Sequence, residues 1–429
     1  MKKINYYILI VLILILLGSL PIITSAFRLQ TFGFENQTLT AGEEFTSAGC
    51  GGGWCSINTT ATTSAVHSGS ASFRSAPTSA AFSWIGNVFR ADGSVTKAYA
   101  RCHFYYENLP ATNPVEMCSF WDSVASNRRS TVVLTSGGVG QLLTDDNSQI
   151  GSNSSALSAN TWYCVQLMTF SNGAGASEIA GSIETGECTD SPTPFASSVT
   201  TTIADFNAVY VGTPNASSAY SAFWDDLAVN DEATTKGSTQ ISYPAGGKIV
   251  YLRPTASGDT AATTGTFADI DETDPNDATD FLTLDETTSI GCYNITDTTG
   301  LIDSYDTIKL ADIGIRIREE ASAVTSYQFG WKSQASGLVA SSTAQDAGDT
   351  TWRTNQTGTT AMTNRMSTTT DPQDNGAIST TDLDNGQICA ASLDADDLNV
   401  STLWLMVEYT DGTPPASGGG SVQSEFFFE

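Results

Sequence analysis

Two adjacent acids, Asp225 and Asp226, stand in the run FWDDLAVND at residues 223–231. Apolar residues flank the pair and Asn-Asp follows it, which is typical of a short strand ending in a turn. Carboxylates at such a position bind Ca²⁺ together with carbonyl oxygens, or they accept backbone N–H bonds as a cap on the strand end. The pair is a candidate metal and ligand site, with the cap as the competing interpretation.

A second group of acids crowds the run ADIDETDPNDATD, where Asp269, Asp271, Asp274 and Asp277 alternate with small and polar residues. The spacing lacks the central glycine and the terminal glutamate of an EF-hand loop. We therefore interpret the run as a solvated acidic loop, with calcium binding as the alternative. Calcium is the one cofactor that the sequence suggests.

An aromatic candidate is Trp54, which lies in the short run CGGGWC between Cys50 and Cys55. A disulfide between these cysteines would present the indole rigidly, and a rigid indole stacks on a sugar ring at low entropic cost. The other interpretation is that Trp54 folds back over its own disulfide. Carbohydrate or a surface protein is the partner that this site would recognise.

The eight cysteines suggest disulfides, because the chain begins with an export-like segment. Six precede residue 223 and allow 15 pairings. Among these we favour nearest neighbours, namely Cys50–Cys55, Cys102–Cys118 and Cys164–Cys188. The later part of the chain then has one internal pairing, Cys292–Cys389.

The N-terminal segment has two lysines, an apolar run and the small residues Thr24-Ser25-Ala26. This pattern predicts a secretory signal at residues 1–26 that is cleaved, with an uncleaved membrane anchor as the alternative. The protein is expected to be secreted or displayed at the cell surface, and this segment is its one expected membrane contact. The net charge of −28 repels phosphate backbones, so nucleic acid is not expected as a partner.

Short alternating runs separated by Gly, Asn, Asp or Pro recur along the chain, and no long stretch has a helical period. This pattern predicts an all-β protein of two tandem β-sandwich domains. We place the first domain at residues 27–231 and the second at 232–412. A flexible tail rich in Pro, Gly and Ser follows at 413–429.

Six short motifs follow one another along the predicted first domain. They are GFE at 33–35, HSGS at 67–70 with FR at 73–74, KAYAR at 97–101, NTWY at 160–163, YVG at 210–212 and DDLAV at 225–229. Together they resemble the concanavalin A-like lectin/glucanase superfamily, of the laminin-G-like jelly-roll type. The resemblance implies that the first and last strands of the domain lie side by side. The second half is more loosely similar to β-sandwich domains of phage structural and bacterial surface proteins.

The superfamily contains binding modules and glycoside hydrolases, so the choice depends on residues. Retaining hydrolases of this fold carry Glu-x-Asp-x-x-Glu on one strand, and no such run occurs here. Glu178, Glu184 and Glu187 are the nearest cluster, and only His67 and His103 are available for a histidine-based site.

The sequence therefore favours a non-enzymatic protein that binds carbohydrate or another surface ligand. A structural component of an envelope, appendage or virion, with no small ligand, is the alternative. A glycosidase that uses Glu184 or Glu187 ranks below both.

Overall fold

The computed structural model is almost entirely β-structure, which confirms the all-β fold class. A 3₁₀ turn at Phe267–Asp269 and a short helix α1 at Thr380–Asp384 are the helical elements of the described part. The structure describes residues 27–34, 59–76, 81–88, 97–122, 127–171, 177–189, 191–200, 203–217, 219–231, 243–244, 246–259, 264–273, 277–284, 290–320, 326–335, 337, 340–342, 345–346, 350, 352–354, 366–393 and 397–414. Within these residues no helix is long and apolar enough to cross a bilayer.

The first sheet has eight antiparallel strands in the order β12-β11-β10-β5-β14-β3-β2, with β1 also paired to β14. Its strands are β1 (Phe27–Phe32), β2 (Thr59–Thr62), β3 (Ser72–Ser75), β5 (Lys97–Asn108), β10 (Tyr163–Phe170), β11 (Ser177–Thr185), β12 (Ala196–Thr200) and β14 (Ser221–Asp231). The pairing of β1 with residues 227–231 of β14 is the neighbour relation that the resemblance implies. The residues of β1 that pair with β14 are 27–32, so the GFE motif at 33–35 comes directly after the paired strand.

The second sheet has six strands in the order β4-β13-β6-β7-β8-β9. They are β4 (Ala81–Val88), β6 (Val115–Asp122), β7 (Asn127–Leu134), β8 (Gly140–Thr144), β9 (Gln149–Ile150) and β13 (Ala208–Ser217). Apolar side chains from the two sheets form one core, which includes Phe104, Phe120 and Trp224. Residues 27–231, which we call the first half, therefore contain a two-layer β-sandwich.

Strand β5 shows how the sequence pattern builds this sandwich, because its side chains alternate between two faces. One face enters the core with Ala98, Ala100, Cys102, Phe104 and Tyr106. The opposite face carries Tyr99, Arg101, His103 and Tyr105. This outer face is also shielded from solvent, since Arg101 and His103 are fully buried.

Residues 232–412, the second half, contribute two further six-stranded sheets. The third sheet has the order β15-β26-β19-β23, with β17 paired to β26 and β24 to β19. Its strands are β15 (Lys248–Leu252), β17 (Leu282–Leu284), β19 (Thr307–Glu319), β23 (Arg353–Thr354), β24 (Met366–Thr368) and β26 (Leu398–Thr410). The long pair of β19 and β26 forms its centre.

The fourth sheet has the order β16-β18-β25-β20-β21, with β22 paired to β20. Its strands are β16 (Pro254–Ser257), β18 (Ile290–Ile295), β20 (Ser326–Lys332), β21 (Ala340–Ser341), β22 (Gln345–Asp346) and β25 (Gln387–Ser392). The third and fourth sheets share a core that includes Ile315, Trp331 and Leu405. The division of the chain into two independent domains stays a prediction.

The two halves meet at the outer face of the first sheet. Arg101 of β5 donates from Nη1 to Glu408 Oε1 of β26 at 2.9 Å, and both side chains are fully buried. Close by, Ser68 Oγ donates to the carbonyl oxygen of Ile249 at 3.0 Å. A Cβ on Gly33 would lie 2.8 Å from Ile249 Cγ2, so strand β15 packs directly against the first half.

Two of the predicted disulfides are confirmed, Cys164–Cys188 and Cys292–Cys389. The second of these joins residues that are directly opposite each other on β18 and β25. The predicted bridge Cys50–Cys55 lies outside the described residues.

The predicted bridge Cys102–Cys118 is absent, and both residues are buried free thiols. Strand β5 belongs to the first sheet and β6 to the second, so the two cysteines come from opposite layers of the core. Their side chains still meet there, with Cys118 next to Cys102, and Cys102 Sγ donates to the carbonyl oxygen of Met117 at 3.1 Å. Burial raises the pKa of the Cys102 thiol well above its ordinary value.

The buried ion pair between the halves gives a first prediction. Removing one partner of such a pair leaves an unpaired buried charge, which costs about 3–5 kcal/mol. We expect Arg101→Met to lower the free energy of unfolding by about this amount in urea titrations. The double variant Arg101→Met with Glu408→Leu should recover most of the loss. Equal stability of Arg101→Met and the wild type would contradict this role.

The disulfide of the second half gives a second prediction. Cys292 and Cys389 are 97 residues apart, so in the chain-entropy model their bridge stabilises the fold by about 4–5 kcal/mol. The double alanine variant should lose that amount in chemical denaturation. The matched control removes Cys164–Cys188, which spans 24 residues and should cost about 3.5 kcal/mol. A smaller loss from the longer loop than from the shorter one would be inconsistent with the entropic account.

Candidate functional site

A bulge in strand β14 sets the position of the paired acids. Asp225 lies opposite His103 of β5, and after an irregularity Ala228 lies opposite Arg101. Asp226 sits in this bulge with φ of 47°, a left-handed conformation that a residue other than glycine seldom adopts. Because the bulge breaks the alternation of the strand, the two neighbouring carboxylates reach the same loop.

That loop is the HSGS motif, and both acids are fully buried against it. Asp225 Oδ2 accepts hydrogen bonds from the backbone N–H of His67 at 2.9 Å and of Ser68 at 3.3 Å. Asp226 Oδ1 accepts from Ser68 Oγ at 2.5 Å and from the backbone N–H of Ile249 at 2.9 Å. The two carboxylates thus tie together β14, the HSGS loop and strand β15 of the second half.

The chain has only two histidines, and the fold stacks them on each other. The ring centroids of His67 and His103 are 3.6 Å apart and the rings are inclined by 12°. Both Nδ1 atoms face Asp226 Oδ2, at 2.6 Å from His67 and 3.5 Å from His103. One carboxylate therefore serves a histidine pair that is 36 residues apart in sequence.

The two histidines differ in their surroundings. The side chain of His67 is 7% exposed, whereas that of His103 is fully buried. His103 Nδ1 is a buried atom without a hydrogen-bond partner among the described residues. Burial lowers the pKa of His103 well below its usual value, and the charges of His67, Arg101 and Lys248 lower it further. The surroundings of His103 therefore disfavour its charged form.

Glu187 lies over the other edge of the stacked rings. Its carboxylate oxygens are 3.5 Å from His67 Nε2 and 4.0 Å from His103 Nε2, and its side chain is 44% exposed. Burial of the carboxylate raises the pKa of Glu187 above its usual value, although the charges of His67 and Lys248 oppose this. Glu187 is the partly exposed group that lies between the buried histidine pair and solvent.

The loop that carries Glu187 is fixed at both ends. Cys188 is joined to Cys164 of β10 by the disulfide, and Glu184 accepts a hydrogen bond from the backbone N–H of Thr189 at 2.9 Å. Glu184 is therefore a structural cap on this loop. The two glutamates that the sequence grouped together have different roles, and only Glu187 belongs to the site.

The second half adds a cation to the site. Lys248 Nζ lies 2.7 Å from Asp411 Oδ2 and 3.9 Å from Glu187 Oε1. Arg101, below the histidines, directs Nε and Nη2 at the backbone carbonyl of Asp226 at 3.4 Å while its Nη1 binds Glu408. The site is thus built from both halves of the chain.

Partly exposed aromatic side chains border the site. The ring of Trp162 meets the ring of His67 edge-on with centroids 5.4 Å apart, and Tyr105 packs on Trp162 at 5.3 Å. Tyr105 Oη donates to Asn160 Oδ1 at 3.0 Å, which holds the tyrosine in place. Aromatic faces beside polar groups are the surfaces on which sugar rings stack. Trp162 lies immediately before strand β10.

The arrangement can move a proton between the interior and the surface. Asp226 binds Nδ1 of His67, and Nε2 of His67 faces the half-exposed Glu187. A histidine oriented by one carboxylate and directed at a second is a suitable arrangement for general acid–base catalysis. The described residues therefore offer acid–base groups, a neighbouring cation and an aromatic border in one place.

The acids of the predicted calcium loop lie away from this site. Asp269 caps its own 3₁₀ turn by accepting from the backbone N–H of Thr266 at 2.5 Å. Asp277 is bound by Arg316, with Nε at 2.9 Å from Oδ1. Trp54 and Asp274 are outside the described residues. Calcium binding, at Asp269, Asp271 and Asp274 or at the Asp225–Asp226 pair, stays a prediction.

The same loop supplies a pH-dependent group, Glu272. Burial raises its pKa to about 7, and the hydrogen bond that the protonated Glu272 donates to the carboxylate of Asp280 adds to the shift. The raised pKa means that folding favours the protonated form. The stabilising effect is complete below the ordinary pKa of a glutamate and is lost as the pH rises through about 7.

A third prediction follows from this shift. The neutral isostere Glu272→Gln should match the wild type near pH 5 and have the higher melting temperature near pH 8. Thermal unfolding over a pH series measures the difference. The control is Asp146→Asn, because the pKa of Asp146 is lowered to about 2 by hydrogen bonds from Thr144 and Ser148. Its effect should be constant over that range, and a constant effect of Glu272→Gln as well would refute the assignment.

Asp225 and Asp226 stand out in the sequence, but their partners do not. No local pattern groups His67, His103, Glu187 and Lys248 into one site. The available signal was the scarcity of histidine, since a fold that stacks both of its histidines uses them together. The contacts themselves join residues that are 158 and 181 positions apart, which no local pattern reveals.

Comparison with known proteins gives matches among solved structures only. No family model and no curated protein sequence matches the chain. An alginate lyase from Aplysia kurodai is 9% identical, with 48% of this chain and 100% of that one covered, at a TM-score of 0.35. An endo-β-1,4-glucuronan lyase from Trichoderma reesei is 10% identical, with 42% and 92% covered, at 0.30. The cellulose-induced protein Cip1 is 14% identical, with 42% and 88% covered, also at 0.30.

The two-layer β-sandwich of the first half is consistent with a concanavalin A-like fold. The matched structures correct the expected function. Several of the matched proteins are polysaccharide lyases. This finding contradicts the prediction of a non-enzymatic binding protein and the alternative of a structural component without a small ligand. The chemistry of this chain must be argued from the residues of its own site.

Proposed function

We propose that this chain is a carbohydrate-active enzyme that cleaves a polysaccharide by acid–base chemistry. The observation that carries the proposal is the position of Glu187. Its half-exposed carboxylate faces the Nε2 atoms of both histidines of the chain, and Asp226 binds Nδ1 of His67 on the opposite edge of the pair. Proton transfer by a positioned side chain is the chemistry that cleaves glycosidic bonds, by hydrolysis or by elimination.

Glu187 is the proposed acid–base residue and His67 its positioning partner. Solvent reaches Glu187, while His67 is almost completely covered, so a sugar meets the carboxylate first. Lys248 lies 3.9 Å from the same carboxylate and supplies a positive charge beside it. Trp162 adds a partly exposed ring next to His67, suited to stacking on a sugar.

Export fits this proposal. The N-terminal segment has the pattern of a secretory signal, and two disulfides occur in the described part of the chain. Disulfides persist in oxidising, extracellular settings. We therefore propose that the enzyme acts outside the cytoplasm. The laminin-G-like subtype of the first half stays part of the proposal and rests on the sequence motifs alone.

The substrate class is tested with a panel of purified polymers. Alginate and polyglucuronate represent the substrates that the names of the matched lyases give. Neutral β-glucan and galactan are included because a net charge of −28 repels polyanions at long range. Elimination yields an unsaturated, ultraviolet-absorbing product, whereas hydrolysis yields only new reducing ends. Absence of cleavage across the panel would count against the proposal.

The fourth prediction concerns the proposed acid–base residue. We expect Glu187→Gln to lower the cleavage rate by about 10²–10⁴-fold, the usual contribution of a general acid or base. The control is Glu178→Gln on strand β11, outside the site, where the rate should stay within a factor of about two. Circular dichroism confirms that both variants fold. A Glu187→Gln variant with the rate of the wild type would eliminate Glu187 as the acting group.

A further inference from the structure

We infer that His67, His103 and Asp226 form a buried binding site for a divalent transition-metal ion of the Zn²⁺ class. One ligand atom from each residue lies within 4.8 Å of the other two. The candidate atoms are the Nδ1 atoms of the two histidines and Oδ2 of Asp226. The inference goes beyond the proposed function, because it concerns the inner edge of the histidine pair and is read out by binding alone.

The distances place the three atoms near those of a coordination sphere. Ligand atoms of a tetrahedral zinc site are about 3.4 Å apart, given bonds of about 2.1 Å. His103 Nδ1 is already 3.5 Å from Asp226 Oδ2. His67 Nδ1 is hydrogen-bonded at 2.6 Å, so an ion would replace this proton and push the two atoms apart by about 0.8 Å.

The rings must also turn when an ion enters. An imidazole nitrogen binds a metal in the plane of its ring, and the two rings now lie almost parallel at 12°. Rotation about the side-chain bond of His67 is the cheaper movement, because this residue belongs to a loop and is not fully buried. His103 is held within strand β5 and supplies the fixed ligand.

A second, independent observation points to a ligand at this place. His103 is fully buried, and its Nδ1 has no hydrogen-bond partner among the described residues. Buried polar atoms are nearly always partnered, and an exception calls for an explanation such as a bound ion. The unpartnered atom faces the carboxylate oxygen that His67 already uses.

The local charge favours a cation. Three carboxylates, those of Asp225, Asp226 and Glu408, are fully buried around the histidines. Arg101 is the one fully buried guanidinium next to them. At the rim Lys248 adds one positive group, and its neighbours Glu187 and Asp411 add two negative ones. The acids therefore outnumber the bases, and a divalent ion would offset the excess.

The ligand types select the metal. Two imidazole nitrogens and one carboxylate are typical of zinc, copper, nickel or iron, whereas calcium takes oxygen ligands only. This differs from the calcium that the acidic pair alone suggests. A metal-bound histidine usually directs its other nitrogen at a carboxylate, and here both Nε2 atoms face Glu187. Cys164 and Cys188 lie near His103 but are bonded to each other, so we assign them no ligand role.

The experiment uses the full exported chain without a polyhistidine tag, stripped with a chelator and then dialysed. Isothermal titration with Zn²⁺ should show one site per chain, and Co²⁺ should give the visible absorption of a site with nitrogen ligands. Zinc should also raise the melting temperature. A folded wild type that shows no heat, no cobalt spectrum and no shift would overturn the inference.

The variants test the assignment of the ligands, and this is the fifth prediction. His103→Gln and His67→Gln should each weaken zinc binding by more than about 100-fold, since a ligand contributes more than an outer partner. Glu187→Gln, which changes only the outer partner, should weaken it by about 10–100-fold or less. Glu178→Gln should bind like the wild type. Unchanged binding by both histidine variants would refute the site. Because His103 is buried, His67→Gln is the decisive variant should His103→Gln fail to fold.

The outcome is separable from that of the proposed function. Zinc binding is measured without substrate, so absence of polysaccharide cleavage leaves a positive titration intact. Conversely, cleavage that depends on Glu187 in a protein that binds no zinc would support the proposed enzymatic function and refute the metal site.

Discussion

The bulge at Asp225 and Asp226 is the constraint on which the rest of the site depends. In a regular strand these neighbours would point to opposite faces, and one of them would enter the apolar core. The bulge and the left-handed Asp226 direct both carboxylates to the outer face. There they hold the HSGS loop, orient His67 and bind the backbone of Ile249. Loss of the bulge would separate the HSGS loop, His67 and Ile249 from the two carboxylates.

The outer face of the first sheet is consequently used in an unusual way. In many antiparallel sandwiches one face of a sheet is exposed to solvent, whereas here Arg101 and His103 on the outer face of β5 are fully buried. Strands β15 and β26 of the second half cover them, and the Arg101–Glu408 pair fixes that contact. The second half therefore shapes the site, and its strand β15 contributes Lys248 and Ile249 directly.

Much of the fold was predictable from the sequence because β-structure leaves a local signature. The alternation along residues 97–108 gives both the strand and the two faces of β5. Pairings at a distance were less accessible. Cys292–Cys389 followed from elimination, whereas for Cys102 and Cys118 the sequence predicted the proximity of the two thiols but also a bond that the structure does not contain. The site was not predictable because its contacts join six separated stretches of the chain, and only the acidic pair is local. The stretches are residues 67–68, 101–103, 187, 225–226, 248–249 and 408–411.

The site also lowers the stability of the fold that contains it. A buried ion pair is often no more stabilising than apolar residues of the same size, a left-handed aspartate is strained, and an unpartnered buried nitrogen is costly. Packing alone would favour replacing each of these groups. Their concentration around both histidines is therefore better explained by chemistry than by folding, since groups that cost stability and lie together mark functional sites. An ion at Asp226 would remove part of this cost, because it would satisfy His103 and offset the excess negative charge at once.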